Sequence, residues 1–297
     1  MTKTENNSVA EIIRNLGIEG CLLDKNGIAS MEVPQDHQTL HSKNVWEKIY
    51  DFDQEKLKKD RNNFFRDKID DHVRLIFNDC AFNPNDIFLE IGSGPSYVGE
   101  YAMEKFNLTY VGIDFNYQVL LSVKKYFEKK GLTRFLLIYG DIRSIPLKDN
   151  AVDFIYGGGV IEHFPDTCIV LKELRRVLKP CGVSFNTVPC FNLSWIPLRS
   201  FANIPSGPRF LKSVFEFLHI SVLRNRVLDK FYGYELSFTI NALRKVHELS
   251  GFKEVRIGPF PCHPFSSKLS NAFLRNLYFN VQRTNFTSFF YYAYARK

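Results

Sequence analysis

The stretch Phe88-Leu89-Glu90-Ile91-Gly92-Ser93-Gly94-Pro95-Ser96 constrains the fold more than any other part of the chain. Phe88 to Ile91 is a short apolar run broken only by Glu90, which reads as a buried strand ending in a tight turn. Gly92 and Gly94 open backbone conformations closed to residues with a Cβ, and they permit close approach to a ligand. Ser96 is placed to cap a following helix over 97–106. A strand, a glycine turn and a helix start in that order make a ligand-binding edge at the carboxyl end of a sheet. Glu90 qualifies the ligand. A carboxylate just before the turn suits hydroxyl or ammonium donors and suits a phosphate poorly.

The rest of the chain alternates around that stretch. Residues 1–40 are weakly patterned, with a short helix expected over 9–16 and turns at Gly17, Gly20 and Gly27. Residues 45–51 form an aromatic-bearing segment. Phe65, Ile69, Val73, Ile76 and Phe77 recur at helical spacing, and Asn83-Pro84-Asn85 ends that helix. Strands are then expected at 87–91, 108–113, 134–139, 151–156 and 183–188. Helices are expected after Ser96, over 118–130 with a stop at Gly131, and over 166–178. After an irregular stretch, a helix over 239–249, a strand over 252–257, a helix near 268–281 and a last strand over 288–295 follow. Strands alternating with helices imply a parallel sheet covered on both faces.

Bulk properties set few further limits. The 297 residues are 45% apolar, enough for a sizeable core. The first residues are polar and lack the apolar centre of a signal peptide. The longest uncharged run, 180–198, holds three prolines, so no transmembrane segment is expected. Six cysteines lie far apart without a CxxC pair, which suits free thiols in a reducing cytoplasm and gives no metal-finger spacing. The net charge of +7 is uneven: residues 197–297 hold 15 Lys and Arg against 5 acids, and residues 1–196 hold 24 against 27. A field of that kind suits an anionic substrate, a membrane surface or nucleic acid, or is simply a solvated basic face.

The strand ends carry the chemistry. They present Glu90, Asp114, Asp141 and the run Gly157-Gly158-Gly159. Asp114, twenty residues past Gly94, can accept from both hydroxyls of a ribose. Asp141 followed by Ile142 can take an exocyclic amine and the face of its ring. Backbone carbonyls of the glycine run are open to an ammonium group. Each acid alone is an ordinary cap or surface charge, but three at successive strand ends form a pattern.

The ordered set LEIGSGPS (89–96), VGIDFN (111–116), GDIRSIPLKDNAVDFIY (140–156), GGGVIEHFPD (157–166) and LKELRRVLKPCGV (171–183) resembles the class I S-adenosylmethionine-dependent methyltransferases of the small-molecule branch. ALRKVHELSGFKEV (242–255) and SFFYYAYARK (288–297) resemble that family's sixth and seventh strand regions. The resemblance implies a Rossmann-like, doubly wound α/β fold with a seven-stranded sheet and an antiparallel last strand. It divides the chain into a helical N-terminal extension with a lid helix (1–80) and a cofactor-binding core (81–190). An α-helical substrate cap (191–236) and a return to the core sheet with a helical insertion (237–297) complete it. It also implies roles. Glu90, Gly92, Ser93 and Gly94 would lie under the methionine part of the cofactor. Asp114 would meet the ribose, and Phe115 the adenine. Asp141 and Ile142 would hold the adenine, and the backbone at Gly157 and Gly158 would meet the amino group. Ser96 stands where many members have a third glycine. Trp46 to Asp51 resembles the family's lid, with Tyr50 over the cofactor. His163 is the candidate general base, because it follows the fourth strand in an acid–imidazole pair with Glu162. No metal is implied.

The cap carries aromatic and basic residues, with a helix expected over 210–231. Such a helix can lie on anionic lipid, though an apolar side packed on the core is the commoner outcome and the one expected here. The expected activity is methyl transfer to a small-molecule or lipid-linked, anionic or neutral, acceptor in the cytoplasm or at the membrane surface. Three rivals remain. An RNA methyltransferase would use the basic last third, but GGGVIEH stands where base-amine enzymes carry an Asn/Asp-Pro-Pro-aromatic turn. A nicotinamide dehydrogenase would need a third glycine at Tyr97. A non-catalytic cofactor-binding or partner protein would bind without turnover. The acceptor itself and the oligomeric state are not legible.

Overall fold

A computed structural model describes residues 12–13, 16–17, 22–32, 46, 75–77, 80–198, 203–223, 233–260 and 272–297. In chain order the elements begin with a two-strand hairpin, β1 (Leu22–Leu23) and β2 (Ala29–Ser30). The alternating part follows: β3 (Ile87–Ile91), α1 (Tyr97–Phe106), β4 (Thr109–Asp114), α2 (Tyr117–Lys130), β5 (Phe135–Tyr139), β6 (Val152–Gly158), α3 (Thr167–Val177) and β7 (Leu178–Pro189). Then come α4 (Trp195–Leu198), β8 (Ile204–Ser206) and α5 (Arg209–Glu216), which continues as a π-helical turn to Val222. The chain closes with β9 (Leu236–Phe238), α6 (Ile240–Leu249), β10 (Lys253–Phe260), α7 (Ala272–Gln282) and β11 (Phe290–Arg296).

The main sheet runs β1-β2-β5-β4-β3-β6-β7-β11-β10. Parallel pairing joins β2 through β7, and β11 runs antiparallel to both of its neighbours. The sheet therefore has nine strands where seven were expected. The two extra ones are the hairpin strands, whose two residues each are too short to show a period. The hairpin is anchored where Met31 N–H donates to the Tyr139 carbonyl and the Tyr117 hydroxyl donates to Asp24. The cap is not wholly helical either, since β8 and β9 pair in parallel as a second small sheet.

Strand alternation builds two cores. Leu89, Ile91, Val111, Ile113 and Ile155 face α3 and α6. Phe88, Tyr110, Leu137 and Phe154 face α1 and α2. Asn116 caps α2 through its side chain and Gly131 ends it in the left-handed region. Asp166 and Thr239 cap α3 and α6 in the same side-chain manner.

One local expectation fails and one holds only in part. Ser96 makes no capping bond, because its own backbone is left-handed at φ 57°. The cap helix packs Phe215 on the core but leaves much of its apolar surface outside. None of the side chains of α5 is fully buried, and Phe210 and Phe217 stand in solvent.

Candidate active site

The central strands end at one open cleft. Its walls include Gly92, Asp114, Phe115, Asp141, Ile142, Gly158 and His163, seven of the residues expected from the sequence. Trp46, Gly140, Arg143, Gly159, Val160 and Phe164 complete the lining. Glu90, Ser93, Gly94 and Gly157 are not part of that lining. Tyr50, the other lid residue expected, lies outside the described residues.

The turn after β3 owes its shape to Gly92, at φ 55°. A Cβ there would stand 2.7 Å from the Val160 side chain. Gly94, also at positive φ, donates its N–H to Asp114 Oδ2 at 2.8 Å, tying the turn to the end of β4. Asp114 Oδ1 accepts from Asn116 N–H at 2.8 Å. The carboxylate is buried, which raises its pKa to about 6 against the lowering effect of these amide donors. Two of its roughly four lone-pair positions are thereby used.

Glu90 faces away from the cleft. It stands two residues from Phe88 on β3, shares its face, and so points to the α1 side of the sheet. Its Oε2 accepts from Gly99 N–H at 3.1 Å and from the Tyr110 hydroxyl at 2.8 Å. The same hydroxyl lies 2.8 Å from Ser96 Oγ. Burial raises the Glu90 pKa to about 8. Gly99 exists in this arrangement for Tyr110, since a Cβ at that position would fall 2.1 Å from the ring. Glu90 thus receives a first-turn amide of α1, the task expected of Ser96.

Asp141 is already partnered. Its Oδ1 accepts from Arg143 N–H at 2.8 Å, and its Oδ2 accepts from Arg143 Nε at 2.9 Å and from a terminal guanidinium nitrogen at 2.6 Å. The Arg143 guanidinium also lies 5.8 Å from the Phe164 ring centroid. Sequence reading missed Arg143. Its signal was the i, i+2 spacing from Asp141 in a turn, which lets one side chain fold back on the other.

His163 closes the other side of the cleft from a one-turn 3₁₀ helix, Ile161–His163. Its Nδ1 is 2.8 Å from the Tyr234 carbonyl oxygen, and its ring meets Trp46 edge to face at 5.4 Å. The Tyr234 hydroxyl donates to Glu216 Oε1 at 2.7 Å, so the cap helix α5 is tied to the same residue.

The cleft fits an adenosyl amino acid. It offers a glycine cradle that a side chain would fill, two carboxylates at neighbouring strand ends, and apolar walls from Phe115, Ile142 and Val160.

The comparisons agree with this geometry. The family model described as a methyltransferase domain matches residues 89–185. The demethylmenaquinone methyltransferase of Staphylococcus carnosus (strain TM300) is 28% identical over 156 residues, covering 50% of this chain and 60% of that protein. The chain thus spans about 60% of the length of such curated relatives. Among solved structures, phosphoethanolamine N-methyltransferase 2 of Haemonchus contortus, in complex with S-adenosyl-L-methionine, superposes with a TM-score of 0.51 at 14% identity. It covers 76% of this chain and 51% of that one. A geranyl diphosphate methyltransferase in complex with GPP and sinefungin gives 0.50 at 11% identity, over 73% and 72%. At those identities the structural likeness speaks for the fold. Residues 89–185 thus match a methyltransferase domain, and the sheet around them has the fold of methyltransferases solved with S-adenosyl-L-methionine.

Proposed function

We propose that the chain transfers a methyl group from S-adenosylmethionine to a small apolar or lipid-linked acceptor. The observation that carries this reading is the convergence of Gly92, Asp114, Asp141, Ile142 and His163 on one cleft. Asp114 has lone pairs left for the two ribose hydroxyls after accepting from Gly94 and Asn116. Asp141, oriented by Arg143, has one acceptor position left for the adenine amine, and Ile142 covers the ring. The backbone at Gly157 and Gly158 takes the amino group, and the turn at Gly92, Ser93 and Gly94 leaves room for the methionine chain. Glu90 acts from beneath by holding α1 against that turn.

When bound, the cofactor supplies a methyl carbon already activated by a positive sulfur, so the protein's work is positioning and deprotonation. A carbonyl partner for Nδ1 requires that nitrogen to carry its proton, which leaves Nε2 of a neutral His163 as the basic nitrogen. His163 then removes the proton of the acceptor as the new bond forms. Trp46, Val160 and Phe164 give the acceptor side an apolar wall. An isoprenoid quinol of the kind named for the demethylmenaquinone enzymes meets those demands. Calorimetry with S-adenosylhomocysteine, followed by turnover on an acceptor panel that includes demethylmenaquinol, tests the proposal. Heat on binding and methylation of a panel member support it. No heat with the wild type, or unchanged affinity in Asp114→Ala, overturns the cofactor reading, and binding without turnover on the panel overturns the catalytic one.

A further inference from the structure

We propose that α5 and its π-helical continuation, with the neighbouring α4 and α7, form a face that docks on an anionic lipid bilayer. Helix α5 leaves much of its apolar surface in solvent. Two of its charged residues bond inward: Lys212 Nζ donates to the Pro165 carbonyl at 3.0 Å, and Glu216 accepts from the Tyr234 hydroxyl. Phe215 packs on the core and Leu211 is half-buried, but the other apolar residues point outward. Phe210 is 79% exposed and Phe217 61%, with Val214 between them at helical spacing and Ile220 and Val222 exposed beyond. A soluble helix has the opposite arrangement.

The patch continues across two more segments. Trp195 of α4 meets Phe215 edge to face at 5.4 Å, so α4 lies against α5. Leu193 N–H, just before α4, donates to the carbonyl of Phe286, which is 71% exposed and follows α7. Helix α7 adds exposed Phe273 and Leu277. Of the 17 exposed large apolar residues described, 15 lie from Leu193 to Phe286, and all of these except Leu249 belong to these segments. A contiguous patch of this kind marks an interaction surface.

Charge selects the occupant. Residues 193–198, 203–223 and 272–286, which carry the exposed apolar side chains, hold Arg209, Lys212, Arg275 and Arg283 against a single acid, Glu216, whose carboxylate bonds Tyr234. A second copy would set this positive face against itself. An anionic membrane satisfies both the apolar side chains and the surrounding cations. The contact is in-plane, since no described helix is long and apolar enough to cross a membrane. The docking face does not depend on the methyl-transfer reading. Only its corollary does: the inward side of α5 touches the loop and Tyr234 beside His163, so a lipid-linked acceptor would pass from bilayer to cleft along that helix.

Vesicle flotation of the full chain tests this, with phosphatidylcholine alone and with phosphatidylcholine mixed with phosphatidylglycerol. The wild type is expected to float with the anionic vesicles and to be released as salt is raised. The variant Phe210→Ser/Val214→Ser/Phe217→Ser is expected to lose about tenfold or more in bound fraction while melting at the wild-type temperature. Wild type that does not float, a variant that floats equally, or a wild-type dimer that the variant converts to monomer without any vesicle binding would overturn the proposal. If the triple variant fails to fold, Phe286→Ser must show the loss instead. Flotation by a wild type that binds no S-adenosylhomocysteine would sink the cleft reading and leave the docking face standing.

Discussion

His163 and Tyr234 are joined across 71 residues of sequence by one contact, Nδ1 to carbonyl oxygen at 2.8 Å. The carbonyl fixes the tautomer, and Tyr234 is itself fixed through Glu216 on the cap helix. On the proposed role of His163 as base, turnover therefore depends on the cap being in place. Replacing His163 by Ala removes the base without touching the carboxylates of the cleft. We expect kcat to fall about 10²- to 10⁴-fold while the S-adenosylhomocysteine affinity stays at the wild-type level. Full turnover at saturating acceptor would show that His163 is a wall residue only.

Gly99 and Tyr110 make a stability prediction. A methyl group at position 99 would fall 2.1 Å from the Tyr110 ring, and Tyr110 is fully buried with neighbours on every side. Gly99→Ala should destabilise the fold by about 1–3 kcal/mol or more, as overpacking does. Tyr110→Phe keeps the ring and removes the hydroxyl between Glu90 and Ser96, at a cost of about 1–3 kcal/mol. Denaturant titration measures both, and a Gly99→Ala midpoint equal to wild type would mean that the ring is free to move.

These examples separate what the sequence made legible from what it hid. The strands from β3 to β7 were readable because each is a buried apolar run bounded by Gly, Asn or Asp. The carboxylates at their ends were readable because strand ends in a parallel sheet share one edge. Glu90 was found but faces the other way, since a side chain's face follows from strand parity and no motif states which parity meets the ligand. Ser96 looked like a cap, but the turn through Gly94 forces it into the left-handed region. Arg143 stayed hidden because a salt bridge between residues two apart needs a turn to bring them together. The α5 surface was foreseen only in part, for a different reason. Periodicity shows that one side of a helix is apolar, and it cannot show which way that side points.

Glu90 gives the fold a pH dependence. Its pKa is raised by burial to about 8 from 4.5, with the negative charge of Asp114 adding a smaller push. A raised pKa means that the folded state binds the proton more tightly. The associated stability is fully present below 4.5 and is lost as the pH climbs through 8. Glu90→Gln mimics the protonated form and does not titrate. The variant should therefore match wild type in mild acid and exceed it in alkali, by on the order of a few kcal/mol. Melting curves at paired pH values check this. A constant difference between the two proteins would mean that Glu90 is solvated when the fold is intact.

Asp114 gives ligand binding a pH dependence of its own. Its pKa is raised to about 6, again by burial, so it is neutral in mild acid and ionised at neutrality. Only the carboxylate can accept from both ribose hydroxyls while also accepting from Gly94 and Asn116. The affinity for S-adenosylhomocysteine should therefore rise as the pH is raised through 6 and level off above it. Asp114→Asn retains one acceptor oxygen for the amides but offers a donor where the second oxygen stood. It should bind about tenfold or more weakly at neutral pH, the loss expected for a hydrogen bond to a charged group. The variant should also lose the rise. Calorimetric titration across that range measures both. A rise through pH 6 that survives in the variant would assign the dependence elsewhere and remove Asp114 from the ribose.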